Sequence, residues 1–510
     1  LGIGGASEAT ASSLHQSLRH AYDFSPILKS QRAALRATDE GVSEAVGGYR
    51  PQITASGDYG TEFQGSKFKD PVFDPLTGGL DTESSSVRRP FGYTISLEQP
   101  IFQGKGIINS VRQAEANVGA SRELLRDTEN TVLLNAVTAY MNVIQDRARV
   151  RLQQNNLRVL NRELRATQDR FSVGEVTRTD VAQAQARSAL ARSNLDGANA
   201  NLRSSRAAYR QVIGVDPMNL VEPRVPEKFL PHTLNDAINI SLAENPEITQ
   251  AVFNEAAARF AVAVADAAFA PNVTLNAQYT QRFNPSDSIE TSETALLQGR
   301  VTVPLYAGGQ ISARARQARQ TALQQRQLIE NQRVNARAAT IAAWSSLTSA
   351  RAQLISDGEQ VRASRTALTG VREEERVGQR TLLDVLDAEQ ELLDAQVSLA
   401  VTQRNLIVAA YAVLDAIGRL DVSTLQLAVT PYDPEEYNKL VETKKYGVTL
   451  ERDASNDADV EIVGGLPAFE VTLEPALDGW ETTVEANVER PRNETAIGTG
   501  PTNDVFGIDR

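Results

Sequence analysis

Two periods alternate along this chain, and each appears twice. From Ile53 the odd positions Ile53, Ala55, Gly57, Tyr59 and Phe63 are apolar or small, while Thr54, Ser56, Asp58 and Glu62 between them are polar. A period of two is that of a strand with one face turned away from water. It returns at Phe91, Tyr93, Ile95, Leu97 and Ile101, at Val273, Leu275, Ala277, Tyr279 and Phe283, and less cleanly at Ala295, Leu297, Val301, Val303 and Leu305. Four amphipathic strands of roughly ten residues are predicted. The rest reads as helix. Leu14 to about Gly47 is helical until Gly47, Gly48 and Pro51 stop it. Long helices run from about 103 to 172 and from 308 to 377, and after a short break each is followed by another, 177–213 and 381–417. At 1.5 Å per residue a helix of this length spans roughly 100 Å and needs partners along its whole course. The apolar stripe is thin and Ala-filled, as at Ala182, Ala184, Ala186, Ala189 and Ala191, which predicts close coiled-coil contact between long hairpins.

The two halves are copies. Adding 220 carries Leu14 onto Leu234, Pro26 onto Pro246, Pro51 onto Pro271 and Tyr59 onto Tyr279. The offset then falls to 204, carrying Pro100 onto Pro304, Gly104 onto Gly308, Gly174 onto Gly378, Asp180 onto Asp384 and Ile213 onto Ile417. The 16 residues lost between the offsets lie between Tyr59 and Pro100, in QGSKFKDPVFDPLTGGLDTESSSVRR, which predicts a loop longer in the first copy.

Alternation alone suits either a half-buried soluble sheet or a membrane barrel with a wet interior. The aromatic residues sit towards strand ends, as in membrane girdles, and the two hairpin loops are polar and rich in Pro, Gly and Ser. Four strands cannot close a barrel, and lipid tolerates no open sheet edge, so closure would require other chains. Three copies would supply twelve strands.

Composition narrows the classes. Aromatic residues make up only 5% of the chain, so a thick core is not expected. The formal charge of −12 gives no nucleic-acid footprint, and acidic and basic residues alternate as on solvated helix faces. There is no Cys, which excludes disulfides, thiolate sites and a lipidated cysteine within this sequence. No run of 18 apolar residues is present; the best candidate, Phe260 to Ala270, is short and holds Asp266. Leu1 to Ala6 is small and apolar, as expected of residues beside a processed signal peptide. His15, His20 and His232 form no metal or nucleophile motif, and no phosphate loop is present, so neither an enzyme nor a cofactor is expected. A soluble periplasmic coiled-coil scaffold or adaptor is the alternative; it accounts for the helices but not for the strands.

The chain resembles the TolC family of outer-membrane factors over about residues 12–440. The words that carry the likeness are NPEI at 245–248, APNV at 270–273, VPLYAGG at 303–309, FSVGEVTRTDV at 171–181 and RVGQRTLLDVLDAEQ at 376–390. YDP at 432–434, with Tyr437 and Val441, resembles members associated with type I secretion. The resemblance implies a mostly α protein with β: a homotrimer whose twelve-stranded membrane β-barrel, four strands per protomer, continues into a long α-helical coiled-coil barrel. It would be a passive duct through outer-membrane lipid and periplasm, without cofactors and without nucleic acid. Its partners would be a periplasmic adaptor and an inner-membrane ABC or RND transporter, with multidrug efflux, type I protein secretion or both as its work. The expected organisation is an N-terminal segment 1–13 left after signal-peptide removal, repeat 1 at 14–220 with its hairpin at 51–102, and a linker at 221–233. Repeat 2 follows at 234–420 with its hairpin at 271–305, then an equatorial segment 421–440 and an acidic, flexible extension 441–510.

The resemblance also places a gate at the helix turns, around Gly174 and Gly378. Asp384 and Asp387 match the aspartates that ring the constriction; six such carboxylates about one axis should repel anions, bind polyvalent cations and have raised pKa values. Arg380 matches the gate arginine, and Thr179 and Asp180 its partners on the neighbouring hairpin. Where well-known members carry a tyrosine this chain has Glu375, which facing Asp180 would repel it. Glu163 and Arg372 match a further link and would form an ion pair between helices.

Overall fold

The computed structural model describes residues 13–73, 78–286, 288–442 and 444–445. Leu1–Ala458 forms one compact unit; Asp459–Arg510 is a second and lies outside the described residues, as do the expectations for residues 1–12 and for most of the extension. The first unit runs α1 (Leu14–Phe24), α2 (Pro26–Gly47), β1 (Gln52–Tyr59), β2 (Glu62–Phe73), β3 (Leu80–Arg88), β4 (Phe91–Gln103), α3 (Gly106–Ser172) and α4 (Arg178–Ile213). The second copy follows as α5 (Leu234–Glu244), α6 (Pro246–Ala267), β5 (Asn272–Ser286), β6 (Ile289–Thr302), α7 (Gln310–Arg376) and α8 (Leu382–Ala416), and α9 (Glu436–Glu442) comes last.

The first helix is two helices. Ser25 caps α2 through the Leu28 N–H, and Pro26 sits at the first helical position, where its missing N–H costs nothing. Asn245 and Pro246 repeat the device between α5 and α6. The break puts the short helices to use. With 36 residues, α4 covers only part of α3 (67 residues), and α1 (11) and α2 (22) cover the remainder.

Packing fixes an order of helices. Near the sheet α2 lies on α3, α3 on α6 and α6 on α7; towards the turns α4 lies on α3, α3 on α8 and α8 on α7. Both rows end in the same way, on α2 and α4 at one side and on α7 at the other. Small residues hold the seams close: α4 buries Ala184, Ser188, Ala191 and Ala198, while Ala182, Ala186 and Ala189 stay exposed. Between α3 and α6 the approach is close at Gly119, where an added Cβ would stand 2.7 Å from the Phe253 ring. Gly119→Val should therefore cost about 1–3 kcal/mol by overpacking, seen as a lower thermal midpoint; an unchanged midpoint would mean the two helices part here at no cost.

Core density is greatest midway along the helices, where Leu18, Leu28, Leu35, Leu133, Tyr140, Tyr209 and Leu414 are fully buried. Here α2 offers Leu28, Arg32, Leu35, Asp39 and Val42 at heptad spacing, with two charged residues in core positions. The segment after α8 accommodates them. The Arg32 guanidinium lies over the rings of Tyr22 and Tyr432, 4.8 and 5.1 Å from their centroids. Asn438 donates to Asp39 at 3.0 Å, and Tyr437 to Glu40 at 2.9 Å. α8 is long and apolar enough to cross a membrane by composition, contrary to the expectation that no helix would be. Its apolar residues pack instead on α3 and α7, as those of a core helix do.

The sheet has order β1-β4-β5-β6, antiparallel throughout, and all four of its long flanking helices join the same end of it. Register makes it two-faced. Ile53, Leu97, Ala277 and Leu297 form one cross-strand row, followed by Ala55, Ile95, Tyr279 and Ala295, by a mixed row of Gly57, Tyr93, Gln281 and Glu293 whose last three are hydrogen-bonded to one another in turn, and by Tyr59, Phe91, Phe283 and Thr291. Phe91 and Phe283 stack at 4.6 Å between centroids. The opposite face carries Gln52, Glu98, Asn276 and Gln298, then Ser56, Thr94, Thr280 and Thr294. A register shift between Pro100 and Phe102 pairs Phe102 with Val273, so Phe102 takes the place in the apolar set expected for Ile101. β6 ends at Thr302, before Val303 and Leu305. The expected long loop is largely a ribbon: β2 and β3 pair from Glu62 opposite Arg88 to Phe73 opposite Leu80.

Candidate functional site

The two helix turns are built alike. At the first, the Glu175 N–H donates to the Arg170 carbonyl at 3.0 Å and Gly174 takes φ +83°; at the second, Gln379 donates to the Glu374 carbonyl at 2.9 Å and Gly378 takes φ +78°. Only glycine enters this left-handed region without strain, so each long helix can end in a tight reversal. A capping box opens the returning helix. Asp180 accepts from the Thr177 N–H at 2.8 Å and returns its own N–H to the Thr177 hydroxyl; Asp384 and Thr381 do the same, with the Thr381 N–H at 2.9 Å.

Within one protomer the backbone N–H and hydroxyl of Thr381 hold the Asp384 carboxyl below the usual range, with Arg380 adding to the effect; the raised value expected of the ring concerns three copies together. Asp180 is likewise engaged locally. Within the protomer Arg380 does not reach Asp180; it donates to Glu374 at 3.0 Å and stands 3.9 Å from Asp384. Thr179 is exposed in the first turn of α4.

The other charges form bridges the sequence reading did not anticipate. Glu375 does not oppose Asp180: it accepts from Arg170 at 2.7 Å, joining the end of α3 to the end of α7, and this bond raises the Arg170 pKa. Asp387 accepts from Arg187 at 2.5 Å, joining α4 to α8. Arg372 pairs with Glu389 across α7 and α8 and not with Glu163, which stands near Glu389 and adds to the rise that burial imposes on its carboxyl. Among the described residues, two ion pairs therefore cross from one hairpin to the other beside the turns. Neither pair carries a signal in the sequence, because the partners lie 205 and 200 residues apart. Beneath these pairs Leu160, Ala184, Ala191, Leu382 and Leu386 form a small apolar seam, so the charges rest on packed helices.

A two-faced sheet at one end, charged helix turns at the other and a coiled-coil shaft between them define the class: a protein of long helical hairpins that carries an amphipathic β-sheet. No cluster of metal-ligating side chains accompanies them among the described residues. Residues 18–215 and 237–419 match the outer membrane efflux protein family, and the chain belongs to it. It is 36% identical over 441 residues to the outer membrane efflux protein BepC of Brucella suis biovar 1, covering 86% of this chain and 92% of that protein. It is 24% identical to the alkaline protease secretion protein AprF of Pseudomonas aeruginosa, covering 66% and 72%. The CmeC outer membrane channel of Campylobacter jejuni shares the fold with a TM-score of 0.68 at 18% identity, covering 84% of this chain and 89% of that one. The resemblance drawn from the sequence therefore stands.

Proposed function

We propose that three copies of the chain form a passive duct, opened at the helix turns by a periplasmic adaptor and an inner-membrane ABC or RND transporter. The observation that carries this reading is the sheet: one face mostly apolar, the other mostly polar, and the outer edges of β1 and β6 without a neighbouring strand among the described residues. An apolar face can meet lipid only if those edges are paired, and three copies make twelve strands around a wet lumen. The helix rows end at α2 and α4 on one side and at α7 on the other, which suits the same closure into a helical tube. A soluble scaffold would leave the apolar rows without a covering. The likeness to a protease secretion protein supports protein as one cargo, and the likeness to an outer membrane efflux protein supports small molecules as another.

Asp384 stays ionised through its cap, so each copy brings at least one fixed negative charge to the turn. Single-channel recording from the purified trimer in a planar bilayer should show cation-preferring channels blocked by a trivalent cation added on the helical side. Asp384→Ala with Asp387→Ala should abolish the block while leaving the channel. A folded trimer that gives no channel would sink the duct; channels blocked equally in both forms would move the gate elsewhere.

A further inference from the structure

Near the sheet the charge balance reverses. The chain has 64 acidic and 52 basic residues, yet from Tyr306 to Ile329 it carries Arg314, Arg316, Arg319 and Arg326 and no Asp or Glu. The duplication repeats the feature: the 204 offset carries Arg112 onto Arg316, each the seventh residue of a long helix that begins where a strand ends. At 1.5 Å per residue both lie about 9 Å below the helix start, close to one Debye length at physiological salt. Lys105 stands just before α3. Lys105, Arg112, Arg314 and Arg316 are exposed and make no ion pair with any described residue. Arg319, by contrast, is held by Asp266 at 2.8 Å, and Arg50 donates to the Lys444 carbonyl at 3.1 Å. The apolar rows end at the same level, with Phe102, Val273 and Val301.

We propose that Lys105, Arg112 and Arg316, the two arginines at equivalent places in the two copies, form a basic collar that binds the phosphate headgroups of anionic phospholipids in the leaflet facing the periplasm; Arg314, two residues from Arg316 on the far side of buried Ala315, faces elsewhere. The inference rests on the sheet lying in the bilayer. It adds that the chain selects its lipid and so fixes its depth. Guanidinium groups hold phosphate oxygens in pairs, and each basic side chain near an anionic surface strengthens attachment about fivefold.

The test is native mass spectrometry of the full chain exchanged into equal amounts of phosphatidylglycerol and phosphatidylcholine, at low and high salt. Phosphatidylglycerol should be retained about tenfold or more over phosphatidylcholine at low salt, and high salt should erase the difference. Arg112→Gln with Arg316→Gln should retain both lipids alike, while the two Lys replacements and Arg314→Gln keep the preference. Equal retention by the native chain, in a preparation that still conducts, overturns the collar alone. Loss of the trimer in the Gln form, without any lipid preference in the native one, would give these arginines to a contact between copies. A chain that fails to enter vesicles at all overturns the membrane reading and the collar with it.

Discussion

Removing both hairpin-to-hairpin bridges, as Arg170→Ala with Arg187→Ala, should raise the ratio of open to closed channels about a hundredfold. Each pair is partly exposed, with side-chain accessibilities of 42% and 17% for Arg170 and Glu375 and 32% and 58% for Arg187 and Asp387. One such pair contributes roughly 0.2–1 kcal/mol, too little to hold a gate. A trimer multiplies it. Two bridges in each of three copies give six, about 3 kcal/mol in all, and each 1.4 kcal/mol is a factor of ten in the population ratio. Open probability in bilayer recordings measures this directly, and Arg170→Lys should fall between native and Ala. The Arg187 change has a second consequence: it frees the Asp387 carboxylate, so trivalent block should appear at lower concentration in Arg187→Ala alone. Unchanged open probability in the double variant would assign closure to the apolar seam of Leu160, Ala184, Ala191, Leu382 and Leu386.

Stability should fall as pH rises from about 4 to about 7, and two carboxyl groups are responsible. Glu129 accepts the Val422 N–H at 2.8 Å, yet burial pushes its pKa up to about 7. Burial raises Asp415 to about 6, and Asp127 and Glu247 repel its charge further. A carboxyl with a raised folded pKa keeps its proton where the unfolded chain has already lost it. Its stabilising effect is complete at acid pH and disappears as pH passes through the folded value. At 1.36 kcal/mol per pKa unit the two groups together should account for a loss on the order of several kcal/mol per protomer. Glu129→Gln with Asp415→Asn should flatten the thermal midpoint between pH 5 and pH 8 and raise it at pH 8, because the amide that replaces the Glu129 carboxylate still offers an oxygen to the Val422 N–H. Parallel slopes for the two proteins would show that both carboxylates remain hydrated.

Period and duplication were legible because both are local properties of the chain. Alternation at Ile53–Tyr59 and Val273–Phe283 predicts strands from side-chain direction alone, and the repeated Gly174 and Gly378 predict the reversals from their backbone freedom. The ribbon at Glu62–Phe73 and Leu80–Arg88 was read as loop because its Pro, Gly and Ser lower strand propensity, and only pairing with the opposite strand restores it. The break before Pro26 was also written in the sequence, in a capping serine followed by a proline, but helical periodicity on both sides outweighs so short a signal.

Thus the sequence by itself determined the two-fold repeat, the long helices and the four strands of the main sheet, their amphipathic faces and the family. The tertiary structure alone decided which charges meet. Ion pairs such as Arg170 with Glu375 and Arg187 with Asp387 depend on where two long helices come to rest against each other, and residues some 200 positions apart in the chain leave no periodic trace of that. The Asp384 cap is the opposite case: its donors, the N–H and hydroxyl of Thr381, lie three residues away, so the Thr-x-x-Asp spacing writes it into the sequence.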